Sequence, residues 1–174
     1  LWRITRIRRF AYCGRVVTDK NAGVTVRITG TPGTPEARAG FSGLQTCGSV
    51  WSCPVCSEKV NARRQSELEQ AIEKWIADGG SVVFGTFTLQ HNAGQSLAHL
   101  WDAVSPAWKA VISGKGYHGG KDQVGDKERF GIAGWCRVVE VKHGAHGWHP
   151  HVHALFFLRA EPSDADLEQL RARM

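Results

Sequence analysis

Residues 147–158 have the sequence Gly-Trp-His-Pro-His-Val-His-Ala-Leu-Phe-Phe-Leu, in which three alternate histidines lead into an apolar run. The apolar run is typical of a buried strand. Side chains two residues apart in a strand point to the same face, so His151 and His153 should project side by side. Neighbouring imidazoles can bind a divalent metal ion, although they also occur as hydrogen-bonded groups in polar grooves. The stretch therefore predicts a buried strand with two candidate metal ligands.

A third candidate ligand, Glu140, lies in the β-branched run at residues 137–141. A carboxylate in such a run is costly to bury unless it is paired or binds a cation. Opposite residues of an antiparallel pair share a face and have a constant index sum. We expect strands at 132–141 and 151–158 to form an antiparallel hairpin in which that sum is odd, because Glu140, His151 and His153 then point the same way.

Glu140, His151 and His153 together predict a site for magnesium, manganese or another first-row divalent ion. His91 and His149 are alternative third ligands. His149 ranks below Glu140 because Pro150 should make the start of the strand irregular.

The cysteines predict a second metal site of a different kind. Cys53 and Cys56 form a C-x-x-C pair, Cys47 lies six residues upstream of it, and Cys13 offers a fourth thiolate. Four tetrahedral ligands on tight Gly or Pro turns favour structural zinc, and a chain without a signal peptide favours metal binding over disulfides. The alternatives are a redox pair or ordinary buried thiols. Cys136 is interpreted as a small core residue.

The remaining pattern alternates helices and strands after a Gly- and Thr-rich N-terminal segment. We expect residues 1–56 to form a loop-rich subdomain held by zinc, in which the metal ties the N-terminal segment to the first helix. The elements expected after it are a helix capped by Ser57 and running to about Asp78, a strand at 81–90, a helix from Ser96 that restarts at Ser105-Pro106, a mobile loop at 113–130, the hairpin, and a helix capped by Ser163.

Size and charge limit the class of protein. A chain of 174 residues suits one domain with a small appendage and buries roughly 70% of its unfolded surface. The net charge of +6 and pI of about 9.3 favour a polyanionic partner, the alternative being a merely soluble basic protein. No apolar run reaches the roughly 18 residues of a membrane span, so we expect a cytoplasmic protein. The candidate phosphate-binding residues are basic side chains near the N terminus and on the first helix, with two strand threonines on the metal face: Arg3, Arg6, Arg8, Arg9, Lys59, Arg63, Arg64, Thr86 and Thr88.

Two segments, Phe84–Leu89 and His149–Leu155, resemble the first and second motifs of rolling-circle replication initiators of the HUH endonuclease superfamily. The cysteine segment Cys47–Cys56 and the position of Glu140 are similar to those of actinobacterial plasmid replication proteins. The resemblance runs from Cys13 to Leu158 and covers most of the chain.

The resemblance implies an α+β fold in which a central antiparallel sheet of the palm-like HUH type is flanked by helices. It also implies nicking of single-stranded origin DNA, with a metal ion on the paired histidines and a tyrosine that becomes linked to the 5′ phosphate. The expected domains are a zinc-binding part at 1–56 and a nuclease part at 57–174, and the expected partners are origin DNA and a host replication helicase.

The chain departs from the family pattern in its tyrosines. The family's nucleophile lies in a third motif downstream of the histidines, whereas Tyr12 and Tyr117 both lie upstream. The expectation is a chain truncated before the tyrosine motif, with its nucleophile beyond Met174. Alternative functions are a transposase or relaxase of the same superfamily and a non-catalytic, zinc-stapled nucleic-acid-binding module.

Overall fold

Two compact units make up the chain, one ending at Gln70 and the other spanning Ala71–Met174. A computed structural model describes residues 5–174. The division falls within a long helix, α2 (Pro54–Ala77). The predicted functional division at residues 56 and 57 stays a prediction.

The first unit contains little secondary structure apart from the start of α2. Helix α1 (Arg8–Tyr12) is followed by strands β1 (Thr25–Thr29) and β2 (Arg38–Ser42), which pair antiparallel as a two-stranded ribbon. Every residue of β1 and every residue of β2 except Ser42 is exposed, so the ribbon contributes no buried side chain to a core. The buried cluster of this unit consists of cysteines with Val55 packed against them. So small an apolar core is not expected to hold a fold by burial alone.

Helix α2 begins earlier than predicted. It starts at Pro54, which suits the first turn because proline lacks an N–H that would be unsatisfied there. Ser57 therefore lies inside the helix, and the prediction that it caps the N terminus is wrong. Towards the other end, the indole of Trp75 donates to the carbonyl of Leu158 at 2.9 Å.

A three-stranded antiparallel sheet forms the centre of the second unit. Its strands are β3 (Ser81–Thr88), β4 (Ile132–Gly144) and β5 (Gly147–Leu158), in the order β3-β5-β4. The prediction of an α+β protein with antiparallel strands and flanking helices is confirmed. The central position of β5 explains its long apolar run, because β5 has a neighbour on each side for most of its length.

The core lies on one face of that sheet. Alternate β5 residues from Val152 to Leu158 are buried and pack with Val104 and Trp108 of helix α3 (Leu97–Val111). Helix α3 is continuous, so the predicted restart at Pro106 is wrong. A proline removes one helical hydrogen bond, and the packing of Val104 and Trp108 on either side of it holds the helix together.

The other two predicted helix starts, at Ser96 and Ser163, are confirmed, and each serine caps its helix. The Ser96 side chain accepts from the His99 N–H at the start of α3. Ser163 and Asp166 form a reciprocal capping box at the start of α6 (Asp164–Arg173).

Residues 113–130 are ordered, and the prediction of a mobile loop is wrong. They form the short helices α4 (Gly114–His118) and α5 (Asp126–Arg129). Tyr117 and Phe130 from this segment join the core, and the buried Asp126 forms an ion pair with Arg173 of α6. The glycines that indicated mobility instead allow close packing, because a Cβ on Gly125 would collide with the backbone of Gly119.

The β4–β5 hairpin has the predicted register. Glu140 lies opposite His151, so the index sum is odd and the prediction is confirmed. The turn is only residues 145–146, shorter than expected.

Pro150 is a buried part of β5 opposite Val141, and the predicted irregularity there is wrong. Pairing with β3 ends one residue later, at Thr88 opposite His151. Pro150 therefore has a neighbouring strand on one side only, an edge-like position of the kind in which a strand tolerates proline. None of the helices in residues 5–174 is long and apolar enough to span a membrane.

Candidate metal centres

Four cysteines converge in the first unit. The Sγ atom of Cys13 lies 3.3 Å from that of Cys56 and 3.5 Å from that of Cys53, and the Sγ atoms of Cys47 and Cys56 are 3.6 Å apart. Thiolates around a tetrahedral zinc ion are about 3.8 Å apart, given Zn–S bonds of ~2.3 Å. No disulfide links the cysteines that the structure describes. The geometry suits four ligands of one metal ion, and Cys13, distant in sequence, is fully buried among them.

Local backbone geometry presents these thiols. Cys13 and Cys47 are each followed by a glycine with positive φ, 69° at Gly14 and 68° at Gly48, which turns the chain sharply after the sulfur. The N–H groups of Cys47 and Ser49 donate to the sulfurs of Cys13 and Cys47, at 3.4 and 3.5 Å. Such donors favour the thiolate form that binds metal.

The thiol pKa values in the cluster diverge. Burial raises the pKa of Cys13 to about 12. Burial opposes ionisation of Cys56 as well, but hydrogen bonds from Cys13, Gly48 and Cys47 outweigh it and lower the Cys56 pKa to about 7. The Cys56 thiolate therefore forms readily, whereas a bound cation would be required to ionise Cys13.

In the second unit, Glu140, His151 and His153 form another convergent group. Oε2 of Glu140 lies 2.8 Å from Nε2 of His151 and 2.8 Å from Nε2 of His153. The three ligand atoms all lie within 4.8 Å of one another. Adjacent ligands of an octahedral ion with bonds of ~2.1 Å are about 3 Å apart, so the spacing suits one divalent ion.

Each imidazole of this group is held by its other nitrogen. Nδ1 of His151 lies 3.4 Å from the backbone carbonyl of His149, which can only accept. Nδ1 of His153 lies 3.1 Å from Oγ1 of Thr86. With Nδ1 as the donor, a neutral imidazole presents the Nε2 lone pair to the Glu140 oxygen, and a proton or a cation must lie between them. The arrangement fits ligands prepared for a metal ion.

The electrostatics of the group favour an ionised carboxylate. The hydrogen bond from His153, followed by those from Lys142 and His151, lowers the pKa of Glu140 to about 2. The ammonium of Lys142 lies 3.2 Å from Oε1, which leaves Oε2 to the histidines. The Glu140 side chain is 40% exposed and that of His153 26%, so the group is open to solvent and to a ligand.

Sequence reasoning missed two neighbours of this group. Lys142 stands two residues from Glu140, and Phe84 stands two residues from Thr86 and stacks on His153 with ring centroids 5.4 Å apart. Both follow from the period of two in a strand, which places each on the face of its predicted neighbour.

His91 and His149 lie outside the group. They contact each other instead, with His149 Nδ1 3.3 Å from His91 Nε2. Burial, and then the positive charges of His91, His151 and Lys142, lower the pKa of His149. Among the residues described, the structure thus brings Glu140 rather than either histidine to His151 and His153.

The predicted phosphate-binding residues that the structure describes are all exposed, and the basic ones lie in a different unit from the metal group. Arg3 lies outside the described residues. The exposed ones in the first unit are Arg6, Arg8, Arg9, Lys59, Arg63 and Arg64, and those beside the histidines on β3 are Thr86 and Thr88. Arg63 forms an exposed ion pair with Glu67, and Thr88 stands opposite His151.

Neither tyrosine belongs to the histidine group. Tyr117 is 4% exposed in the core beneath the sheet, and burial raises its pKa. Tyr12 ends α1 in the other unit, beside Cys13, and is 37% exposed.

Comparison with known proteins gives consistent relatives. The sequence model of the family described as "Replication protein" matches residues 42–163. The chain is 36% identical over 134 residues to "Protein rep" of Streptomyces lividans, covering 65% of this chain and 29% of that protein. It is 36% identical over 132 residues to "Neomycin resistance protein" of Streptomyces cyanogenus, covering 65% of this chain and 30% of that one.

The chain spans less than a third of the length of these curated relatives. No solved structure matches it with significance.

Proposed function

Because the chain belongs to the replication protein family, we propose that it is the metal-dependent, DNA-nicking part of a plasmid replication initiator. The resemblance to actinobacterial plasmid replication proteins is confirmed at the level of the family. The proposed reaction is nicking and rejoining of single-stranded DNA at a replication origin, in the HUH manner, through a 5′-phosphotyrosine intermediate.

One observation carries the proposal: a carboxylate oxygen at 2.8 Å from two imidazole nitrogens whose other nitrogens are engaged from behind. Glu140, His151 and His153 are the residues that would hold magnesium or manganese, hard ions that accept mixed carboxylate and imidazole ligands. When bound, such an ion polarises a phosphoryl oxygen and orients the phosphate.

The chain's own residues prepare the site. Thr86 and the His149 carbonyl orient the two imidazole rings, and Lys142 pairs with the outer carboxylate oxygen, so the three ligand atoms are held close together before an ion binds. Thr86 and Thr88 lie exposed on the same face, where a DNA backbone would pass. The exposed basic residues of the first unit would add phosphate contacts that position the strand without reading its sequence.

Cleavage requires an attacking oxygen. In the proposed step a tyrosine oxygen bonds to phosphorus, the bond from phosphorus to the 3′ oxygen breaks, and that oxygen takes up a proton. Burial of Tyr117 in the core argues against it as the nucleophile. We place the attacking tyrosine outside these 174 residues, in the whole protein. The phosphotyrosine bond retains the energy needed for rejoining.

Structural zinc is the proposed metal of the four cysteines. One tetrahedral ion would use all four sulfurs as ligands, which would leave no position open for a substrate. The ion would fold the first unit and take no part in phosphate chemistry.

Manganese titration of the His151→Ala, His153→Ala double variant tests the metal site. We expect manganese affinity to be abolished while the zinc content stays unchanged, since the cysteines lie in the other unit. Unchanged manganese affinity in the double variant would exclude the site.

Covalent capture tests the nicking reaction. The whole protein, carrying its tyrosine motif, should form a covalent adduct with a single-stranded oligonucleotide of its origin when manganese is present. The double variant should form none. Absence of adduct from the wild-type protein with its own origin and metal would instead favour the non-catalytic binding module.

A further inference from the structure

A cavity of about 720 Å³ lies between the β4–β5 turn and the loop that follows β3. It is distinct from the ligand atoms of the Glu140 group. Its ionisable lining consists of four imidazoles and one ammonium, those of His91, Lys142, His143, His146 and His149. No acidic side chain lines it among the residues that the structure describes.

The walls of the cavity are held by packing and hydrogen bonds. A Cβ on Gly147, where φ is 86°, would lie 2.9 Å from the Cα of Ala93, so the turn and the loop are in direct contact. The loop is closed by the Gln95 side chain, which accepts from the Asn92 N–H at 2.9 Å, and by Asn92 Oδ1, which accepts from Gly94 at 3.0 Å. A ligand would therefore meet a preformed site.

The chemistry of the lining favours an anion over a second metal ion. Among the described residues of the lining, only the ring nitrogens of His91 and His149 converge, at 3.3 Å, whereas protein metal sites commonly supply three or more ligands. The nearby Lys142 ammonium would repel a cation. An imidazole donates one N–H when neutral and two when protonated, so each ring offers at least one hydrogen-bond donor in either state.

The cavity also lies beside the candidate metal group. His149 precedes His151 by two positions on the same face of β5, and their ring centroids are 5.1 Å apart. Lys142 connects the two sites, because it lines the cavity and pairs with Oε1 of Glu140 at 3.2 Å. A chain of phosphates that reaches one site would reach the other.

We propose that this histidine-lined cavity binds a phosphate of the DNA strand adjacent to the phosphate held at Glu140, His151 and His153. Its position along a DNA strand rests on the proposed function, whereas its affinity for phosphate does not. The cavity would fix the direction in which the strand crosses the sheet and would hold the strand without reading its bases.

The test compares two double variants in buffer without added magnesium or manganese. No chelator is used, so that zinc is retained. His91→Gln, His146→Gln removes two imidazoles from the cavity, and the matched control His99→Gln, His118→Gln removes two exposed imidazoles elsewhere in the same unit. Inorganic phosphate is titrated by nuclear magnetic resonance, and oligothymidylate by fluorescence anisotropy at several salt concentrations.

We expect the cavity variant to bind both probes about tenfold more weakly, as for the loss of hydrogen bonds to a charged group. Its plot of log affinity against log salt should lose about 0.7 of slope, the value for one phosphate contact on a single strand. The control should match the wild type. Equal binding by the two double variants, or no phosphate binding by the wild type, overturns the inference.

Manganese affinity separates this result from the proposed function. Retention of manganese affinity by the cavity variant shows that the hairpin is folded. If the cavity variant loses manganese affinity, the single variant His146→Gln, in the exposed turn, is used in its place. That single variant should weaken phosphate binding about threefold. Phosphate binding that survives in His151→Ala, His153→Ala, where manganese is lost, supports the cavity even if the nuclease proposal fails.

Discussion

The two candidate metal groups differ in how much of their ligand shell the protein supplies. The cysteine cluster offers four sulfurs, three of them on buried residues, and leaves no position free. The Glu140 group offers three atoms on a partly exposed sheet face, and its carboxylate is 40% exposed. A closed set of ligands suits a structural ion and an open set suits a reacting one. The contrast teaches that one ion would hold a fold and the other would meet a substrate.

Cys53→Ser removes one ligand from the closed cysteine cluster and should have the largest effect. Structural zinc contributes about 10 kcal/mol or more to folding in small zinc domains, so the first unit should unfold and lose its metal. Limited proteolysis with zinc analysis measures this. Cys136→Ser, in the second unit, is the control and should keep its zinc. A Cys53→Ser protein that retained zinc and protease resistance would contradict a four-cysteine site.

Glu140→Gln changes the open group of Glu140, His151 and His153 and should weaken metal binding without unfolding the protein. Manganese affinity should fall about 100-fold, because a charged ligand becomes a neutral one, while zinc content and the thermal midpoint change little. Isothermal titration measures the affinity. Glu161→Gln, an exposed glutamate in the same unit, should leave it unchanged. A Glu140→Gln affinity within threefold of the wild type would favour His91 or His149 as the third ligand.

Thr86→Val sharpens the comparison by testing the support behind one ligand. Loss of the hydroxyl at 3.1 Å from His153 Nδ1 frees the ring, and manganese affinity should drop about tenfold. Thr88→Val removes a hydroxyl on the same face and should have no such effect. Similar losses in both variants would indicate a general disturbance of β3 rather than an oriented imidazole.

Acid should affect the open group through Glu140. Its folded-state pKa of about 2 lies below the ordinary value of 4.5, so the carboxylate stabilises the fold above pH 4.5 and that contribution is lost as the pH falls towards 2. Urea unfolding of the second unit between pH 5 and 2, without added metal, should therefore depend on pH less steeply in Glu140→Gln than in wild type. Parallel curves for the two proteins would show that the imidazoles do not hold the carboxylate. The effect should be the smallest of the four, since the group is exposed to solvent.

Much of the candidate site followed from local pattern. The alternation of His149, His151 and His153 places their side chains on one face of any strand, and a hairpin with Glu140 opposite a histidine needed only an odd register. The C-x-x-C pair indicated a cysteine site for similar reasons of spacing. Lys142 and Phe84 were available from the same period of two and were overlooked.

Errors arose where neighbours in space override local preference. Pro106 stays within a helix because Val104 and Trp108 pack on both sides of it, and Pro150 fits a strand because β3 ends beside it. The Gly-rich segment at 113–130 is ordered by burial of Tyr117 and Phe130 in a core that other elements complete. Proline and glycine determine which backbone conformations are available locally, but tertiary packing determines which of them the chain adopts.

Residue spacing along the chain was enough to determine which side chains could share a face, because that property belongs to the backbone of a single strand or turn. The tertiary structure decided which faces meet. It brought Cys13 to cysteines more than thirty residues away, set Glu140 against two histidines across a hairpin, and turned His91 to His149 and not to a metal ligand. Those choices depend on the burial and register of several elements at once, and no local pattern carries that information.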